Sequence, residues 1–130
     1  METVAILLVA LLFGGMTLFA AGFASVLFKT LPPETAGTVL RDTFPRFYLF
    51  VVATAVVAAG VLVPVDLAGA IWLGGIGVTA IAARELLTPA INRATDTGAT
   101  RRFSWLHGLS IALTLAHIAI AAWVLTQFLN

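Results

Sequence analysis

His107, Ser110, Thr114 and His117 recur at three- and four-residue steps within an otherwise apolar run, a spacing that puts all four on one stripe of a helix. Imidazole nitrogens and hydroxyls in that arrangement offer three kinds of chemistry: ligation of a metal or haem iron, passage of a solute or proton along a polar path, or hydrogen bonding that locks helices together. At 1.5 Å per residue the two histidines stand about 15 Å apart along the axis, too far to share one ion. Each would need ligands from elsewhere in the chain. With no other His and no Cys, the remaining candidates are Met16, Thr17, Tyr48 and backbone groups, a poor set for a transition metal. The stripe therefore reads first as structural, with a polar conduit and a haem- or metal-binding protein as alternatives, and no cofactor or metal is expected.

Other chemistry lacks its parts. Arg41 with Asp42 and Arg84 with Glu85 are adjacent pairs near the ends of apolar runs, beside Arg46, Arg101 and Arg102. Cations in such places ordinarily contact lipid headgroups and water. There is no phosphate-cradling glycine loop and no Ser-His-acid combination, and the carboxylates are scattered over termini, loops and helix ends, so the chain is not expected to be an enzyme. The absence of cysteine removes disulfides and thiolate metal sites.

The elements that must position the stripe follow from composition. Of the 130 residues, 61% are hydrophobic and 10% charged, too little polar surface to cover a water-soluble globule of this size. At roughly 20 apolar residues per span, the length accommodates about four membrane helices. The expectation is an all-α fold, one domain over residues 1–130, with spans at about 4–28, 46–63, 67–87 and 103–129. The first run could be mistaken for a secretory signal, but it opens Met1-Glu2-Thr3 without a cationic lead and stays apolar for about 25 residues, enough to span. It is expected to end at Lys29 before Leu31-Pro32-Pro33. A loop should follow to about Pro45, with a short surface helix over residues 33–42, anchors at Phe44 and Tyr48, and Thr43 as the N-cap of the second span. Pro64 and Asp66 predict a tight turn, with Asp66 capping the third helix. That helix is expected to run on past Arg84 and Glu85 to a stop within residues 94–98.

All seven Lys and Arg residues, Lys29, Arg41, Arg46, Arg84, Arg93, Arg101 and Arg102, fall in two of the stretches that interrupt the apolar runs. Cationic loops resist translocation, so both should stay cytoplasmic. The predicted arrangement is an integral membrane four-helix bundle, up-down-up-down, with N and C termini outside, in a prokaryotic plasma (inner) membrane. Small residues allow helices to approach closely in lipid. Those at Gly14, Ala21 and Ser25 on the first helix, Gly74 on the third and Ala112 and Ala116 on the fourth are therefore expected to pack the bundle.

Two segments resemble the family of small membrane proteins typified by transmembrane protein 205, a domain of unknown function. One is Gly22-Phe23 with Leu27-Phe28-Lys29, Leu31-Pro32, Thr35, Gly37, Phe44-Pro45 and Phe47-Tyr48; the other is Phe103 with Leu106-His107-Gly108-Leu109-Ser110. Together they span about half the chain. The resemblance implies a four-helix membrane protein and marks Phe44, Pro45, His107, Gly108 and Ser110 as positions of interest. The sequence departs from the family in having Thr114 where Asn is frequent. The function expected is a structural or accessory membrane component, with membrane lipids as partners, a homo-oligomer or larger membrane complex as its assembly, and no nucleic acid.

Overall fold

The computed structural model describes residues 1–129. It consists of four helices, each long and apolar enough to cross a membrane: α1 (Glu2–Thr30), α2 (Pro33–Leu62), α3 (Leu67–Asp96) and α4 (Thr100–Leu129). No strand occurs among the described residues. The chain is a multi-pass membrane helical bundle. Its core is a file of buried residues from every helix: Ala5, Val9, Leu12 and Met16 of α1; Phe47, Tyr48, Val51, Ala55, Ala58 and Leu62 of α2; Leu73, Ile76, Ala80 and Ala83 of α3; Ala121 and Val124 of α4.

The turn between α2 and α3 forms as the sequence predicts. Asp66 caps α3 by accepting a hydrogen bond from the Gly69 amide at 3.1 Å, which satisfies one of the unpaired donors of the first turn. The turn before α4 uses Gly98 at φ +70, a left-handed conformation that glycine adopts without steric cost.

The expected loop up to Pro45 does not exist. Residues Pro33–Leu62 are one continuous helix with Pro45 inside it, so the second helix begins at 33 rather than 46. Thr43 is no N-cap either: its hydroxyl donates to the Val39 carbonyl at 2.6 Å, within the helix. The reason lies in the packing stripe. Ala36 and Leu40 are buried, Phe44 packs against the core, and Phe47, Tyr48 and Val51 continue the same face, so the apolar periodicity runs straight through the proline. Pro45 removes the donor to one carbonyl, but neighbouring helices hold the segment in place, as is usual for prolines in membrane helices. Arg84 Nε donates to the Pro45 carbonyl at 3.1 Å, and Arg41 pairs with Asp96 at 2.8 Å. The α2 extension thus lies along the corresponding extension of α3.

Two segments depart from α-helical winding. Leu18–Phe23 in α1 and Ala83–Leu87 in α3 are π-helical. After Met16, no residue of α1 is buried. Its first half packs on α2 and α4, while its second half packs more loosely, with the Phe19 ring stacked on Phe47 at 4.1 Å and 11° and edge-on to Phe44 at 5.4 Å.

Candidate polar site and interfacial cleft

Ser110, Thr114 and His117 are buried at 6%, 9% and 3% exposure, whereas His107 is half-buried. The inward turn of the stripe places two of its members in specific hydrogen bonds. Ser110 Oγ and the Tyr48 hydroxyl lie 2.9 Å apart, joining α4 to α2. His117 Nε2 lies 2.8 Å from Thr79 Oγ1, joining α4 to α3. Thr79 Oγ1 is also 2.8 Å from the Gly75 carbonyl, and a hydroxyl has one proton. With that proton given to Gly75, His117 is the Nε2–H tautomer and donates to Thr79.

Tyr48 is among the partners the sequence suggests, whereas Thr79 is not, its one signal being a lone hydroxyl among the glycines and alanines of α3. The cross-helix role of Arg84 is likewise not evident from sequence. That side chain reaches the Pro45 carbonyl with Nε and, at 2.6 Å, the Glu85 carboxylate with Nη1. The histidines stay apart, His107 stacking on Phe103 with centroids 5.4 Å apart and planes 7° from parallel. Among the described residues no three of His, Asp and Glu gather as a metal site.

The small residues are placed differently from the expectation that they pack the bundle. Gly14, Ala21, Ser25, Ala112 and Ala116 are exposed, and a side chain added at Gly14 or Gly74 would meet nothing within 4 Å. Close approach occurs instead at Gly15, where a Cβ would come 2.6 Å from the Phe50 ring, and at Gly77, where it would come 3.2 Å from Val56. The inward face of α4 is taken by Ser110, Thr114, His117, Ala121 and Val124, which leaves Ala112 and Ala116 on its outer side, while Ala21 and Ser25 of α1 border an open cavity that faces α4.

Where the second half of α1 packs more loosely, a cleft opens between it and α4. An apolar cavity of about 500 Å³ is lined by Thr17, Ala24, Phe28, Phe47, Ile111 and Leu115 among others. A second cavity of about 660 Å³ lies at the basic end of the bundle, lined by Glu34, Thr38, Arg41, Asn92 and Thr95 among others. Phe28, Leu40, Phe44, His107 and Ser110 border both, so the two are continuous and His107 stands at their junction. Phe44, His107 and Ser110, marked by the family resemblance, therefore line one cleft. Pro45 lies behind it against Arg84, and Gly108 faces away, exposed.

Comparison with curated proteins and with solved structures finds no match for the chain. Residues 7–130 match the model of a domain of unknown function, DUF4149, and with nearly its whole length covered the chain belongs to that family.

Proposed function

We propose that the protein is a non-catalytic membrane component that acts by self-association, pairing through the outward face of α4. The observation that carries this reading is the run Ser104, Gly108, Ala112 and Ala116: four small residues at four-residue spacing, all exposed, with open space around Gly108. In a bilayer such a stripe lets a second helix approach to backbone contact, where dispersion and weak hydrogen bonds replace the absent hydrophobic force. The two buried polar bonds of α4 support a rigid, structural helix rather than a wet path. The likeness to the transmembrane protein 205 family supports the membrane setting.

The bundle threads up-down-up-down with its basic end cytoplasmic and both termini outside. Trp105 lies at the basic end, while Trp72 and Trp123 meet edge to face at 6.2 Å toward the other end. The 18 residue steps from Trp105 to Trp123 span about 27 Å, close to the ~30 Å hydrocarbon thickness that interfacial tryptophans bracket.

Two measurements test these statements. Dimer formation in bilayers, read by cross-linking or native mass spectrometry, is expected to weaken at least tenfold in Gly108→Leu/Ala112→Leu and to be unchanged in Ala53→Leu on the exposed face of α2. A wild-type chain that stays monomeric at high protein-to-lipid ratio refutes the pairing. The lack of native cysteine makes single-cysteine labelling unambiguous. An impermeant maleimide applied to intact cells should label Val65→Cys in the α2–α3 turn and spare Thr97→Cys in the α3–α4 turn; the reverse pattern inverts the topology.

A further inference from the structure

We infer that the cleft between α1 and α4 is a binding site for an anionic glycerophospholipid of the leaflet at the basic end. One acyl chain lies in the apolar cavity and the headgroup sits at the wider cavity of the basic end, where Glu34, Thr38, Arg41 and Asn92 stand. The length of the cleft points to this occupant. From Thr17 to Phe28 on one wall, and from His107 to Ile118 on the other, the apolar part runs eleven residue steps. That is about 16 Å along a helix, matching the ~15 Å half-thickness of a bilayer's hydrocarbon core. The layering matches as well. The apolar part is walled mainly by Ala24, Leu115 and phenylalanine rings, with the hydroxyls of Thr17, Ser25, Ser110 and Thr114 as its uncharged polar groups, and charged and amide side chains begin only beyond His107, where Glu34, Arg41 and Asn92 line the wider cavity. Apolar space at hydrocarbon depth that opens sideways is filled by lipid tails, because water there would lack hydrogen-bond partners.

Charge selects the headgroup. The basic end holds all seven cations against four carboxylates, Glu34, Asp42, Glu85 and Asp96, an excess of three positive charges. Within the wider cavity Arg41 is neutralised by Asp96, and Glu34 also lines the wall, so the attraction comes from the rim. Lys29 directly follows the lining residue Phe28, and Arg102 directly precedes the lining residue Phe103. The two cations therefore flank the mouth at the end of α1 and the start of α4. Each cation near a membrane surface multiplies affinity for an anionic group about fivefold at low salt.

The test uses the full chain reconstituted in bilayers of equal phosphatidylglycerol and phosphatidylethanolamine, extracted in mild detergent and examined by native mass spectrometry. The expected result is one retained lipid per chain, enriched in phosphatidylglycerol. Ala24→Trp and Leu115→Trp, which fill the apolar cavity from opposite walls, should each reduce retention at least fivefold. Lys29→Gln/Arg102→Gln should keep a lipid but lower the phosphatidylglycerol enrichment about tenfold. Retention of the two lipids in proportion to their supply, or undiminished retention in both tryptophan variants, overturns the assignment.

Discussion

Tyr48→Ala is expected to destabilise the bundle by about 3 kcal/mol, measured by denaturation with sodium dodecyl sulfate in mixed micelles. Tyr48 is 1% exposed, and its ring lies 5.4 Å from Phe47 and 6.2 Å from Phe44. Truncation leaves a cavity where α2 meets α4. In lipid the unfolded helices remain in an apolar medium, so the transfer part of the usual cost shrinks, and lost packing contacts make up most of what is left. For that reason the figure sits at the lower end of the ~3–5 kcal/mol seen for aromatic-to-alanine changes. Tyr48→Phe separates the hydroxyl from the ring. It removes only the bond to Ser110, and interhelical hydrogen bonds in membranes contribute about 0.6 kcal/mol on average, with a maximum near 1.7. Ser110 can then donate to a carbonyl of its own helix. A Phe variant as unstable as the Ala variant would show that hydrogen bonding, and not packing, holds this junction.

How far the sequence exposes this architecture depends on which signal each feature leaves. The polar stripe is legible because a hydroxyl or imidazole in an apolar helix must turn inward or find a partner, and three of its four members are buried. Its partners are less legible: nothing local in Thr79 distinguishes a residue that reaches α4 from one that bonds only its own helix, as its contact with the Gly75 carbonyl also allows. Pro45 misleads for a related reason. Read by itself, a proline after a polar stretch marks a helix start, whereas Ala36, Leu40, Phe44, Phe47 and Val51 read together show one unbroken face. The cleft leaves almost no trace in sequence. It arises because α1 contributes no buried residue after Met16, and the segment that departs is as apolar as the one that stays.

The glycines of α3 turn this distinction into a sharp test. Sequence spacing marks Gly74, Gly75 and Gly77 alike as thin points of the helix, and it cannot say which one a neighbour occupies. In the structure only Gly77 is crossed closely: a Cβ there would lie 3.2 Å from Val56 Cγ2 and 4.0 Å from the Ala55 Cβ, while Gly74 and Gly75 have nothing within 4 Å. Gly77→Leu must push a branched side chain into the interface of α2 and α3. Forcing helices apart in a packed core costs typically 1–3 kcal/mol for a few added methylenes, and four added carbons against two fixed neighbours place this variant near about 3 kcal/mol. Gly75→Leu, exposed to lipid, should instead be neutral or slightly stabilising, since leucine exceeds glycine in helix propensity by up to about 1 kcal/mol. Both variants change the hydropathy of α3 by the same amount, so membrane insertion cannot account for a difference between them. Equal stability of the two in the same detergent titration would mean that α2 does not cross α3 at Gly77, and the core built on Ala55, Leu73, Ile76 and Ala80 would have to be reassembled around a different contact.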